Sequence, residues 1–241
     1  MSTPSAARAR AGGRFGRQAE AERNDLLVLA AARAVFAEQG AEAPVSAIAE
    51  RAGVGIGTLY RRYGSKVQLL QRLCAVGIAQ TTEALRQALD EDGSGWEALA
   101  RYMARAVDAR AGAFASLAGT FPVPEEVAVA NERAKGLLER LLERGRADRT
   151  VREDVTALDI THVIELISRY PRRTEEDDHA RRRMLALTLD GLRGGRTGLP
   201  GPRPDWREYQ RSWDDAGARQ VGPDGVGADL PGAESQKSLP P

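Results

Sequence analysis

Apolar residues recur every three or four positions over several stretches of this chain, and this spacing predicts α-helices. The helices are predicted at 21–39, 45–52, 55–63, 66–90, 96–111, 124–146, 154–168 and 175–193, with a further turn or two near 114–119. No stretch alternates between apolar and polar residues as a half-buried strand would. The pattern therefore predicts an all-α protein.

Two short helices lie close together between residues 44 and 63. Four apolar residues form one stripe on the first of them: Val45, Ile48, Ala49 and Ala52. Gly53 follows at the position where a left-handed residue commonly ends a helix. The second helix has one apolar anchor, Leu59, among the polar side chains of Thr58, Tyr60, Arg61, Arg62 and Tyr63. Such side chains suit DNA phosphates and base edges, so the segment predicts a helix-turn-helix.

A long helix is predicted to begin directly after this motif. Ser65 and Gln68 have the spacing of a capping box, which marks the start of the helix at 66–90. Lys66 and the first amides of this helix would lie on one side, where they favour a phosphate group.

Roughly residues 22 to 75 closely resemble the DNA-binding head of the tetracycline-repressor (TetR) family of bacterial regulators. The resemblance rests on LLVLAAARAVF, SAIAERAGV and GIGTLYRRYGSK. It implies groove contacts from Ser46, Ile56, Gly57, Tyr60 and Arg62, and phosphate contacts from Thr58, Arg61 and Lys66. Pro44 departs from the family, which often has Ser or Thr there, but proline suits an early helix position.

Some residues of the motif also fit roles in packing. Tyr63 lies on the Leu59 side of its helix, so packing is favoured over DNA contact. Ile56 fits equally well in the groove or under the turn. Gly53, Gly55 and Gly57 lack the spacing of a dinucleotide-binding loop, and no strand precedes them.

Charge is distributed unevenly along a chain whose formal net charge is only +1. Residues 1–73 hold eleven Lys or Arg against six Asp or Glu, whereas the remainder holds 24 against 28. The basic part contains the helix-turn-helix, as expected for a DNA-binding head on a less basic body. No apolar run is long enough to span a membrane and no signal peptide is recognisable, so a cytoplasmic location is expected.

Four segments are expected. Residues 1–20 form a disordered arm, 21–82 the DNA-binding domain, 83–193 a helical body, and 194–241 a disordered tail with sixteen Gly or Pro. The arginines of the arm either follow DNA or are simply solvated: Arg8, Arg10, Arg14 and Arg17. In the tail, Trp206, Tyr209 and Trp213 have helical spacing, so a short helix could dock there or stay undocked.

The last two predicted helices of the body carry apolar residues on more than one face, and such helices need two partners. The family resemblance implies dimerisation through them, in a four-helix interface. From the residues alone, burial within one chain is equally compatible with the pattern.

The body is also expected to hold a pocket for a mostly apolar ligand. The candidate lining residues are Trp96, Tyr102, Met103, Phe114, Phe121, His162 and Tyr170, and each of them also fits a plain core role. His179 is expected on the surface. Two distant histidines and the lone Cys74 predict no metal site, no cofactor is indicated, and no catalytic motif is found, so no enzyme is expected.

The leading hypothesis is a ligand-responsive homodimeric repressor that binds a palindromic operator. Two alternatives stay open. One is a helical small-molecule-binding protein with a vestigial head, and the other is a DNA-binding dimer without an effector.

Overall fold

The computed structural model describes residues 25–40, 42–193 and 197–220. Within these ranges the chain is all-helical, as predicted, with nine α-helices and one 3₁₀ segment, Ala111–Leu117. The helices are α1 (residues 25–39), α2 (Val45–Ala52), α3 (Ile56–Tyr63), α4 (Lys66–Asp90), α5 (Gly95–Asp108), α6 (Glu125–Ala147), α7 (Ala157–Ser168), α8 (Glu175–Leu192) and α9 (Trp206–Gln220). The predicted start of α1 at 21 and the N-terminal arm lie outside the described residues.

Helices α1 to α3 and the first half of α4 form a small head around one apolar cluster. An apolar stripe of α1 is buried there: Val28, Leu29, Ala32, Val35 and Phe36. The 3₁₀ segment contributes Phe114 and Leu117 to the same cluster. The head therefore shares its core with part of the body.

Helix α4 joins the head to the body, because its second half packs against α5 and α6. The body core lies among α4 to α8 and is filled mainly by Leu, Ile, Val and Ala side chains. Gly95 and Gly112 allow close backbone approaches, since a Cβ there would lie 2.3 Å from Gly145 N and 2.4 Å from Glu165 Cα.

Several predicted boundaries need correction. Helix α5 ends at Asp108, three residues before the predicted end, and the chain passes through Arg110 in the left-handed region. Helix α7 starts at Ala157 because Thr156, in a capping box with Asp159, is its N-cap. Asp154, predicted inside this helix, instead pairs with Arg152 and accepts a hydrogen bond from Leu199 N.

The interpretation of 194–241 as a structureless tail is wrong between 206 and 220, where α9 forms. Its aromatic residues contact the body, and this packing stabilises a helix that would be marginal alone. Residues 194–196 and 221–241 lie outside the described residues. None of the described helices has the length and apolar character needed to cross a membrane.

Candidate functional site

The turn between α2 and α3 forms through local backbone contacts. Gly53 has a φ of +67° and donates its N–H to Glu50 O, while Val54 N donates to Ala49 O. The left-handed conformation explains the glycine, because a Cβ would be strained there. Of the four residues in the predicted stripe of α2, Val45, Ile48 and Ala49 are buried and Ala52 is half-buried.

Helix α3 exposes nearly all of its side chains, since Leu59 is its one buried residue. Ile56 and Tyr60 are 45% and 44% exposed, so Ile56 does not pack under the turn. Gly57, Thr58 and Arg61 are exposed as well, as is Ser46 on α2. The absent side chains of Gly55 and Gly57 leave the start of the helix open to close approach by another molecule.

Lys66 lies at the start of α4, half-buried, beside the end of α3. The preceding Ser65 caps the helix, because its hydroxyl accepts a hydrogen bond from Gln68 N at 3.1 Å. This bond is one half of the predicted capping box. The reciprocal bond, from Ser65 N to the Gln68 side chain, does not form. Ser65 N donates to Tyr63 O, and the Gln68 amide group lies against Gly64.

Arg62 was predicted to face the DNA groove, but the structure places its guanidinium in an ion pair with Asp25 of α1. The Tyr63 hydroxyl donates to the same Asp25 oxygen at 2.6 Å, which agrees with the predicted packing role of Tyr63. Burial and this bond raise the pKa of Tyr63 to about 12. Burial by itself raises the pKa of Asp25. The hydrogen bonds from Arg62 and Tyr63 outweigh this effect, so the pKa lies below its usual value. Arg62 thus holds α3 against α1.

Two adjacent arginines should therefore respond differently to substitution. We expect Arg62→Gln to lower the free energy of unfolding by about 1 kcal/mol, because it removes the cation beside Asp25. Arg61→Gln should change it by less than about 0.5 kcal/mol, since the Arg61 contact is a 3.4 Å bond to exposed Thr58. Urea denaturation at neutral pH measures both variants.

The pH dependence gives a second readout. A carboxylate with a depressed folded pKa stabilises the protein above its unfolded pKa and loses this effect as pH falls through the folded value. The deficit of Arg62→Gln should therefore shrink below about pH 4. Equal stabilities of the two variants at neutral pH would contradict the assigned role of Arg62.

A cavity of about 390 Å³ lies in the body among α4, α5, the 3₁₀ segment, α6, α7 and α9. Tyr102 and Phe114 line it, as predicted, but the other five candidate lining residues do not. Met103 and Phe121 are buried in the two cores. Trp96 packs against the Arg193 guanidinium, and Tyr170 is half-buried away from the cavity. His162 is exposed with its ring edge near Tyr209, and His179 is exposed as expected.

Sequence reasoning missed the wall that α9 adds to this cavity. Trp206, Tyr209 and Trp213 line it, and Trp206 Nε1 donates to Glu132 on α6. The Tyr209 hydroxyl donates to Glu165 on α7. Burial, which strongly disfavours a phenolate, raises the pKa of Tyr209. The helical spacing of these aromatic residues predicted a short helix. It did not indicate which surface of the body the helix packs against.

Glu165 is the second residue that sequence reasoning missed. It is half-buried and lines the cavity. Burial raises the pKa of the Glu165 carboxyl. The hydrogen bond from Tyr209 and the charges of His162 and Arg169 lower this pKa, but by less. Nothing in the sequence distinguishes this residue from the other acids on the helices.

Comparison with known proteins assigns the two parts of the chain. The sequence model for bacterial regulatory proteins of the tetR family matches residues 28–73, and that for the C-terminal domain of SbtR-like transcriptional regulators matches residues 94–194. A TetR transcription regulatory protein from Mycobacterium vanbaalenii is 30% identical over 73% of this chain and 98% of that one, with a TM-score of 0.49. The chain belongs to the TetR family. It is a DNA-binding transcriptional regulator.

Other solved TetR regulators share the fold. The ketosteroid transcriptional regulator KstR2 of Mycobacterium tuberculosis is 22% identical over 72% of this chain and 96% of its own, with a TM-score of 0.54. PfmR from Thermus thermophilus is 25% identical over 71% of this chain and 96% of its own, with a TM-score of 0.51. The family and these neighbours are transcriptional regulators. No curated protein matches the sequence. The TetR C-terminal match ends at residue 194, before α9.

Proposed function

We propose that this TetR regulator acts as a homodimeric repressor, which binds a palindromic operator through α3 and releases it when a small molecule enters the body cavity. The observation that carries the proposal is the surface of α3, where polar side chains are exposed around one buried leucine. The target of such a protein is in the cytoplasm, where bacterial DNA lies.

The DNA contacts would divide between base edges and phosphates. Ser46, Ile56, Gly57 and Tyr60 would enter the major groove, while Thr58, Arg61 and Lys66 would hold phosphates. Two α3 helices about 34–36 Å apart would reach successive major grooves, which requires a dimer. Arg62 would act indirectly, by holding α3 in place through its ion pair with Asp25 of α1.

The outer surface of α7 and α8 would form the dimer interface. Leu187 on α8 and Leu166 on α7 are 70% and 64% exposed in the single chain. A Cβ at Gly191, one turn beyond Leu187, would meet no atom within 4 Å, so a partner helix could approach closely there. Burial of these leucines in a partner subunit would remove apolar surface from water.

Coupling between cavity and head would run through Phe114. This residue lines the cavity and belongs to the apolar cluster of the head. The Arg33 guanidinium of α1 lies 5.4 Å from the centre of the Phe114 ring and also donates to Gln80 on α4. A ligand that shifts Phe114 would therefore change how α1 packs against the body. It would act by binding the DNA-releasing conformation more tightly than the DNA-binding one.

Operator binding tests the proposal. A DNA site is first selected from random sequence with the purified protein, and its affinity is then measured by fluorescence anisotropy across a salt series. We expect Tyr60→Ala to weaken binding about 10- to 100-fold, because it removes a groove contact. Lys66→Ala should weaken binding to all sequences and reduce the salt slope by about 1, because one phosphate contact is lost.

A charge-matched control is available in the body. Arg86→Ala removes an exposed cation from α4, far along the helix from Lys66, and should leave affinity and slope unchanged. Failure to select any DNA site would favour the vestigial-head alternative. Selected DNA that no cavity ligand releases would favour an effector-independent dimer.

A further inference from the structure

The cavity of the body holds one acidic side chain in apolar surroundings. Among the lining residues, most are aliphatic or aromatic, and only Lys135 and Glu165 carry a formal charge. A charged group in such a place is costly unless it is paired. The partners of Lys135 and Glu165 therefore indicate which ligands the cavity favours.

The charge of Lys135 is already compensated on the outside of α6. Its ammonium lies 3.8 Å from Glu132 and 3.7 Å from Glu139, and 5.3 Å from the centre of the Trp206 ring. Both glutamates are about half exposed, so this group of residues marks the mouth of the cavity. Lys135 therefore offers little to an anion inside the cavity.

Glu165 is compensated less well. Within the described part of the chain, the Tyr209 hydroxyl is the one group that donates a hydrogen bond to its carboxylate. The nearby charges belong to two exposed residues, His162 on α7 and Arg169 at its C-cap. A carboxylate can accept several hydrogen bonds, so this half-buried one lacks donors.

The backbone that carries this carboxylate is also held in place. A Cβ at Gly112 would lie 2.4 Å from Glu165 Cα, so the 3₁₀ segment touches the backbone of α7 at this residue. Gly112 N donates to Ser168 Oγ at 3.3 Å, which ties the two elements together one turn further on. The backbone of Glu165 cannot withdraw from the cavity without breaking these contacts.

The wall that α9 supplies is aromatic. The Tyr209 ring centre lies 5.3 Å from that of Trp206 and 6.4 Å from that of Trp213. Aromatic faces attract organic cations, and the attraction grows where water is excluded. This wall lies beyond residue 194, where the match to the C-terminal domain model ends.

We propose that the cavity binds an apolar organic cation, such as an alkylamine, whose ammonium group meets Glu165 while its apolar part lies against Phe114 and the aromatic wall of α9. The proposal rests on the proposed effector function and specifies its ligand class. The volume of about 390 Å³ suits a small amphiphile. A fatty acid would instead place a second carboxylate beside Glu165, which like-charge repulsion disfavours.

Three probes of equal chain length test the ligand class. Isothermal titration calorimetry with the full-length protein compares decylamine, decanol and decanoate, all below their micelle-forming concentrations. We expect decylamine to bind at least tenfold more tightly than decanoate, with decanol between them. Glu165→Gln should weaken decylamine binding about tenfold or more, because a charge-assisted bond is lost, and should leave decanol nearly unchanged.

Two further variants control the experiment. Glu143→Gln makes the same chemical change at an exposed carboxylate on α6 that does not line the cavity, and it should leave all three affinities unchanged. Tyr209→Phe keeps the aromatic ring but removes the hydroxyl, so the ammonium becomes the main donor to Glu165 and the preference for decylamine should persist. Circular dichroism verifies that each variant is folded.

The proposal is overturned if decanoate binds as tightly as decylamine, if none of the probes binds, or if Glu165→Gln retains full affinity for decylamine. Anisotropy with the selected DNA separates this result from a failure of the proposed function. Release of DNA by decanoate at concentrations as low as those of decylamine would keep the effector cavity and reject the cation. Binding of decylamine without DNA release would keep the cation site and reject the effector role.

Discussion

Leu187→Glu is expected to weaken operator binding by about 10²- to 10⁴-fold while leaving the subunit folded. Leu187 is 70% exposed on α8, so a charge there costs the isolated subunit little. In a dimer through α7 and α8, two glutamates would be brought together in an apolar interface, which strongly opposes association. A single head then reaches one half-site, and the gain from binding two half-sites is lost.

Sedimentation velocity and anisotropy on the selected operator measure this effect together. Val129→Glu is the matched control, since Val129 is 43% exposed on α6, outside the proposed interface. We expect this control to remain dimeric and to bind DNA with unchanged affinity. A Leu187→Glu protein that stays dimeric with full affinity would place the dimer interface elsewhere. Loss of affinity in both variants would point to a general effect of added negative charge.

Gly95→Ala is expected to destabilise the protein by about 3 kcal/mol or more. The new Cβ would lie 2.3 Å from Gly145 N and 2.5 Å from Gly145 Cα, so it meets backbone that no side-chain rotation can move. The start of α5 cannot shift easily, because Gly95 N donates to Asp148 at 2.6 Å. The Arg144 guanidinium further holds the preceding loop through the carbonyl oxygens of Leu89, Glu91 and Gly93.

Thermal denaturation should show a melting temperature lowered by about 6–12 °C for Gly95→Ala. Gly136→Ala is the control, because a Cβ there meets no atom within 4 Å and the residue lies inside α6. This substitution should stabilise the protein by about 0.5–1 kcal/mol, since alanine favours a helix more than glycine does. Similar melting temperatures for the two variants would show that α5 and α6 separate at little cost.

The head was largely predictable because its signals are local. The stripe on α2, the glycine turn and the single anchor of α3 depend on residues within a few positions of one another. The exposure of a polar residue is also readable from helical spacing. The partner of Arg62 was not, because Asp25 lies 37 positions away and only the packing of α3 on α1 brings the two together.

The cavity was predictable only in kind. An apolar body with a few polar residues suggested a ligand site, and Tyr102 and Phe114 do line the cavity. The other candidate residues had the right chemistry but lie in a core or on the surface. An aromatic side chain is compatible with the cavity, a core or the surface. How the helices pack against one another decides which of the three it occupies. Glu165 and α9 meet across 44 positions of the chain, a distance over which periodicity carries no information.

By itself, the sequence determined the all-α class, the helix-turn-helix, the position of α4 and the concentration of positive charge at the DNA-binding end. These features follow from helical periodicity, glycine turns, caps and composition, which act between near neighbours. Only the tertiary structure decided that Arg62 holds the head together, that α9 closes the cavity, and that Glu165 lies inside it. Each of these depends on contacts between distant segments, which form only when the helices pack.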